Sequence, residues 1–187
     1  MAYTNAGGRS ITQRPPGAWD RSEYGHWEMD TIVSGTGTSQ ACLLVLTERM
    51  TRRVIVRKLP ARTQAAVIRE LDRLERSGHF LFNGLKTITC DNGCEFLDFR
   101  AIEKSATHDG RRCEVFFAHP FRASERGSNE NANRIVRRFV PKGADISAFT
   151  RAQIQGIEDW INALPRKMFD GLSAGEKVKR YFEENVA

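Results

Sequence analysis

The sequence predicts an α/β domain built on one mixed sheet. Two observations carry this: three consecutive strand-like stretches with short connections come first, and strands alternating with helices follow. Trp27, Met29, Thr31 and Val33 alternate with Glu28, Asp30 and Ile32, the period of a strand. Gly35 and Gly37 mark a turn, and 40–47 is a near-continuous apolar run, the pattern of a buried strand. Val54 to Arg57 is the third strand, so the three form an antiparallel meander. Residues 63–76 then place Val67, Ile68, Leu71 and Leu74 on one helical stripe, which Gly78 ends. Leu85 to Thr89 and Glu114 to Ala118 are short strands, and 96–106 fits a helix between them. A helix over 128–139 stops before Pro141. Thr150 with Gln153 forms a capping-box pattern ahead of Ile154, Ile157, Ile161 and Leu164 at helical spacing.

Composition bounds the function. The chain has 187 residues, 40% of them hydrophobic, enough for one domain with a real core. No apolar run exceeds the six residues Ala41 to Leu46, far short of a bilayer span, and no apolar signal segment opens the chain. Lys and Arg number 29 against 23 Asp and Glu, a net charge of +6 that favours a polyanionic partner. The four cysteines contain no C-x-x-C pair, so buried, incidental thiols and a cytoplasmic location are expected. Residues 1–22, rich in Gly, Pro, Ser and Arg, are expected to form an extended arm or linker. Residues 23–187 are expected to form the folded domain, with a C-terminal helical segment from about 148.

Three acids stand out by placement. Asp30 lies within the first strand, Asp91 just past a short strand, and Glu130 near the start of a helix. Each has an ordinary reading as well. Asp30 could pair with Glu28 at a sheet edge, Asp91-Asn92-Gly93 is a common turn, and Glu130 could pair with Arg134 on a solvated face. At 100° per residue, Arg137 falls about 20°, Arg134 about 40° and Asn133 about 60° from Glu130. Ala132, Ile135, Val136 and Phe139 take the opposite side. Taken together, three carboxylates on rigid elements suit a pair of Mg²⁺ ions, which need oxygen ligands.

Five motifs in order then resemble a known family. They are 25–30 (GHWEMD), 91–96 (DNGCEF), Ala118-His119-Pro120 followed by 125–131 (ERGSNEN), 139–143 (FVPKG) and 162–167 (NALPRK). Over about residues 9–182 the chain resembles the insertion-sequence-30 family of bacterial transposases. The resemblance implies an RNase H-like fold, that of the retroviral integrase catalytic core, with a mixed sheet and helices on both faces. It implies Asp30, Asp91 and Glu130 as catalytic residues and metal ligands, with Glu125 a rival for the third place. It also implies two Mg²⁺ ions (Mn²⁺ as substitute), duplex DNA at element ends and target, a homo-oligomer, and a place at the bacterial nucleoid with no membrane association.

The chain departs from the family pattern in three places. The spacing from Asp91 to Glu130 is a few residues long, with the excess assigned to a surface loop at His108 to Arg112. Ser124 stands where Trp is common, and Ser173-Ala174 where Thr-Pro is. Family members resemble two-part proteins with an N-terminal helix-turn-helix, so this chain is expected to correspond to the catalytic part.

Two basic stretches complete the picture. Arg49, Arg52, Arg53, Arg57, Lys58 and Arg62 read as a solvated hairpin. Arg126, Arg134, Arg137 and Lys142 flank the acids, and with Asn129, Asn133, Arg166 and Lys167 they are the expected DNA contacts. The activity expected is metal-dependent phosphodiester hydrolysis and strand transfer. The rivals are a catalytically silent DNA-binding or assembly fragment and a nuclease of RNA–DNA hybrids.

Overall fold

The structure is a computed structural model that describes residues 8–80, 84–119, 125 and 127–185. Its strands are β1 (Arg9–Ser10), β2 (His26–Val33), β3 (Cys42–Glu48), β4 (Val54–Leu59), β5 (Thr87–Cys90) and β6 (Glu114–Phe117). Its helices are α1 (Pro16–Asp20), α2 (Gln64–Arg76), α3 (Phe99–Glu103), α4 (Gly127–Val136), α5 (Arg151–Ala163) and α6 (Ala174–Asn185). The six strands form one sheet in the order β1-β6-β5-β2-β3-β4. β2, β3 and β4 pair antiparallel, and β5, β6 and β1 extend the sheet in parallel from β2. This is the mixed sheet of an RNase H-like domain.

Period-two alternation divides the core between the two faces of the sheet. On one face Trp27, Met29, Leu44, Leu46 and Ile88 pack beneath Val67, Leu71 and Leu74 of α2 and Val178 of α6. On the other, Ile32, Leu43, Val45 and Val56 pack beneath Ala132, Ile135 and Val136 of α4 and Ile154, Ile157 and Ile161 of α5. Helices thus cover both faces, as expected. Local caps agree with the sequence. Thr63 accepts from Ala66 N at 3.3 Å, and Thr150 and Gln153 complete the capping box on α5. Ser173 caps α6 by accepting from Glu176 N at 3.2 Å while its own N–H donates to Glu176 Oε2 at 2.7 Å, so the departure from Thr-Pro still starts the helix.

Two expectations need correction. The stretch 1–22, read as an extended arm or linker, is part of the domain from Arg9 onward. β1 pairs with β6, Ile11 and Ala18 are fully buried, and Arg14 is buried as well. Edge-strand pairing and two buried apolar side chains hold this segment, and neither leaves a periodic signal in a Pro- and Gly-rich stretch. The helix read over 96–106 is shorter, with a 3-10 turn at Cys94–Phe96 and then α3. The 108–112 stretch does lie in a loop, the one between α3 and β6, across which Lys104 and Arg111 bridge to each other.

Candidate active site

The parallel pairing of β2 and β5 sets the site. Glu28 lies opposite Thr89. Two residues further the same register brings Asp30 alongside Asp91, one residue past the end of β5. Neighbouring strands lie about 4.8 Å apart, and equal steps of two keep both side chains on one face. That face is the α4 side, because Glu28 Oε2 there accepts from Asn129 N at 2.8 Å.

Both carboxylates are half-exposed and both are oriented. Asp30 Oδ1 accepts from Thr31 N at 2.8 Å, and its Oδ2 accepts from Asn133 Nδ2 at 2.9 Å. Asp91 Oδ1 accepts from Gly93 N at 2.9 Å, an Asx turn. Asn92 Nδ2 donates to Ala118 O at 3.1 Å, which ties the turn to the end of β6.

Behind the turn sits Glu95, a residue that reading the sequence did not single out. It is 1% exposed. Its Oε1 accepts from Thr31 Oγ1 at 2.6 Å and from Arg62 Nε at 2.7 Å. Burial pushes this carboxyl up, but the bonds from Arg62 and Thr31 outweigh it and leave it below the usual range. A Cβ at Gly93 would stand 2.6 Å from Glu95 Oε2 and 2.9 Å from Asp91 Oδ1. Only glycine lets the turn close over Glu95. The one available signal was an acid wedged between Cys94 and Phe96 in the quoted motif.

Glu130 is exposed in the first turn of α4. It lies about 60° around the helix from Asn133, on the flank away from Ala132 and Ile135. Among the described residues, no three His, Cys, Asp or Glu side chains close into a metal-holding cluster. The strand register carries Asp30 and Asp91 to the same face of the sheet, and Glu130 does not close with them into such a cluster among the described residues. The rival Glu125 is engaged by His119, whose N–H and Nδ1 lie 2.9 and 2.8 Å from its oxygens. The donor set is all oxygen, which fits Mg²⁺ or Mn²⁺. Asn92 Oδ1 and Asn133 Oδ1 are buried beside it with no hydrogen-bond partner among the described residues. Both are acceptors that a water molecule would satisfy.

The expected DNA contacts separate. Asn129 is fully buried: its Oδ1 accepts from Thr47 Oγ1 at 2.6 Å and its N–H serves Glu28. It is a strut between α4 and the sheet and leaves the DNA-contact set. Asn133 is committed to Asp30. Arg137 reaches across to Val33 O at 3.2 Å. Arg134, Lys142 and Lys167 are exposed and Arg166 is half-buried. Arg126 lies outside the described residues, as do Pro120 and Ser124.

The stretch Arg49 to Arg62 is not the solvated hairpin expected. Arg49, Arg52 and Arg57 are buried. Arg49 pairs with Glu28 and Arg57 with Glu158, while Arg52 donates to Ser128 Oγ. His26 packs as expected, buried with Nδ1 2.8 Å from Thr87 Oγ1 and Nε2 2.9 Å from Glu23. Cys42, Cys90 and Cys113 are buried thiols, and Cys94 is exposed. No helix among the described residues is long and apolar enough to cross a membrane.

Comparison with known proteins agrees with this geometry. Residues 20–114 match the integrase core domain family, whose members depend on divalent metal ions. A probable transposase for insertion-like sequence element IS1161 from Streptococcus salivarius is 32% identical over 176 residues, 94% of this chain and 46% of that protein. A transposase for insertion sequence element IS4351 from Bacteroides fragilis is 33% identical over 94% of this chain and 51% of its own length. A transposase for insertion sequence element IS30C from Escherichia coli is 29% identical over 92% of this chain and 43% of its own length. The chain spans about half the length of the curated relatives it matches. With the RNase H-like sheet and paired aspartates in place, the chain belongs to the integrase core domain family.

Proposed function

We propose that this domain is the catalytic core of a DDE transposase, a polynucleotidyl transferase acting on duplex DNA. It cuts a phosphodiester at the end of an insertion element and joins the freed 3′-hydroxyl to target DNA. The observation that supports this best is the shared register of Asp30 and Asp91 beneath Asn133 of α4. The relatives named as transposases support the same reading.

In this reading Asp30, Asp91 and Glu130 would hold two Mg²⁺ ions, with Mn²⁺ as substitute. Such ions, when bound, activate the attacking oxygen and stabilise the leaving one. The chain's own residues set the geometry. Thr31 N and Asn133 fix both oxygens of Asp30, and Gly93 N fixes Asp91. Glu95 supports the turn from behind. Glu130 swings in from the α4 flank when DNA is bound. Arg126, Arg134, Arg137, Lys142, Arg166 and Lys167 track phosphates. The residues from Arg9 to the end of α6 act as one catalytic unit. It works as a homo-oligomer at the nucleoid of a bacterial cytoplasm.

Single-turnover nicking of a DNA duplex in Mg²⁺ and Mn²⁺ tests the assignment. Asp91→Asn and Glu130→Gln each lose at least about two orders of magnitude, as loss of a catalytic charge stabiliser commonly does. Asp91→Asn keeps or raises the melting temperature, because crowded carboxylates repel one another. Glu125→Gln costs about tenfold or less, as expected of a His119 partner. Full cleavage by Asp91→Asn removes that residue from the mechanism. A dead Glu125→Gln beside an active Glu130→Gln moves the third ligand to position 125. A wild-type chain that binds DNA but never nicks it is an assembly module instead. A preference for RNA–DNA hybrid over duplex points to a hybrid nuclease.

A further inference from the structure

A cavity of about 320 Å³ opens at the N-terminal end of α4, on the same sheet face as Asp30. Arg21, Arg52 and Arg166 line it, with Ser128, Asn131 and Gly127. These three arginines come from segments far apart in sequence: the end of α1, the β3–β4 turn and the loop after α5. No acidic side chain is among its described lining. Of the two buried carboxylates whose charge reaches Arg52, Glu28 is already engaged by Arg49 and by Asn129 N, and Glu48 accepts from Gly25 N, Thr51 N and Thr51 Oγ1.

Among the described residues no carboxylate forms a direct ion pair with these cations, and Glu28 and Glu48 act on Arg52 only through longer-range charge. Arg52 is 9% exposed and its side-chain bond is to a neutral hydroxyl, that of Ser128. Burial, and then the charge of Arg21, pulls its guanidinium down to about 10. Arg166 Nε is buried with no hydrogen-bond partner among the described residues, and burial alone lowers this group too. Placing such charges together is costly unless an anion joins them. The N-terminal turn of α4 adds its partial positive charge at the same spot.

We propose that this cavity seats a backbone phosphate of the bound DNA, with Arg52 and Arg166 as its charged ligands, Ser128 as a hydroxyl donor and Arg21 at the rim. This rests on the reading of the domain as a DNA-acting core and adds a site to it. Ser128 lies five residues before Asn133 on α4, about 7.5 Å along the helix axis. For comparison, the duplex rises about 3.4 Å per nucleotide along its axis. A phosphate held here fixes the strand's position relative to Asp30.

The test is fluorescence anisotropy of the whole chain with a labelled 30-bp duplex of arbitrary sequence, across a salt series. The double variant Arg21→Gln/Arg166→Gln avoids the buried Arg52. It raises Kd about tenfold or more and lowers the salt slope by roughly 0.9 per lost phosphate contact. The control Arg100→Gln/Lys104→Gln, on and just after α3 at the far side of the sheet, removes equal charge and shifts Kd less than about twofold. Equal losses in the two doubles overturn the proposal, as does no loss in the pocket double. A second arm follows thermal stabilisation by inorganic phosphate. Stabilisation of wild type that the pocket double lacks, together with unchanged duplex affinity, assigns the pocket to a free anion and overturns the DNA source. A wild-type chain that fails to bind duplex at all sinks the functional reading itself. Failure of the pocket double alone sinks only this site.

Discussion

Two arginine-rich stretches, 49–62 and 126–142, look alike in sequence and differ in the fold. In the first, Arg49, Arg57 and Arg62 each meet a carboxylate from another element: Glu28 of β2, Glu158 of α5 and Glu95 after β5. In the second, Arg134, Arg138 and Lys142 point outward. Local charge counting cannot separate them, because the neutralising acids of the first stretch lie up to about a hundred residues away. Arg52 of the cavity apart, the first stretch ties the sheet to its surroundings, and the second keeps its charges on the surface. A net positive count in sequence therefore overstates the surface available to DNA.

The sharpest way to break this comparison is to remove one acid from the first stretch. Glu28→Gln leaves the Arg49 guanidinium buried without its counter-charge and weakens the acceptor for Asn129 N. Breaking a buried pair costs about 3–5 kcal/mol. Urea unfolding measures it, and a loss below about 1 kcal/mol would show that Arg49 reaches water. Arg57 pairs with Glu158 and has Glu70 Oε1 at 3.8 Å as well, so Glu158→Gln should cost less than Glu28→Gln.

Gly93→Ala probes the support of the site. Its Cβ would meet Glu95 Oε2 at 2.6 Å, and that carboxylate cannot retreat because Thr31 and Arg62 hold it. Overpacking of this kind costs about 1–3 kcal/mol. Nicking falls at least about tenfold, because the strain moves Asp91. Wild-type nicking by a folded Gly93→Ala variant would separate Glu95 from the geometry of Asp91.

How far the sequence showed all this depends on the range of the forces involved. β2, β3, α2 and α5 were legible because each carries its own period of apolar residues or its own cap. β1 and α1 were not, since pairing with β6 and the burial of Ile11 and Ala18 are decided by distant partners. Asp30, Asp91 and Glu130 stood out by their placement in a strand, past a strand and at a helix start, and the ordered motifs set them apart as a trio. The role of Glu95 stayed hidden because it depends on Arg62, thirty-three residues earlier. Asn129 was misread for a related reason. Its polarity suggested a contact with DNA, but Thr47 and Glu28 use its bonds inside the protein.

A smaller effect, in pH, sharpens the contrast between buried and outward groups. Burial lowers His26 and His79 below their ordinary 6.5, so both are neutral in the fold near pH 7. The folded state then binds fewer protons than the unfolded one. The stability this contributes is complete above about 6.5 and is lost as pH falls from there toward the lowered folded values. Each histidine contributes a slope of at most about 1.4 kcal/mol per pH unit. Melting between pH 7.5 and 5.5 shows the decline, and His26→Gln makes it shallower. An unchanged slope in that variant would remove His26 as a source.

The smallest effect on stability belongs to the outward stretch. Arg134 is exposed on α4, and its bond is to Asn131 Oδ1 at 2.9 Å within the same helix. Such a contact competes with water on both sides, so Arg134→Gln changes unfolding free energy by no more than about 0.5 kcal/mol. Its DNA effect should nevertheless be visible. If Arg134 meets one phosphate, its loss reduces the salt slope of duplex binding by roughly 0.9 and weakens binding alike for every sequence. Glu28→Gln makes the opposite pair of changes: stability falls by several times more, while the salt slope holds for the fraction still folded. Measuring both variants by urea unfolding and by anisotropy in a salt series gives four numbers. Arg134→Gln that destabilises the fold, or leaves the salt slope untouched, would place Arg134 with the inward arginines and dissolve the distinction between the two stretches.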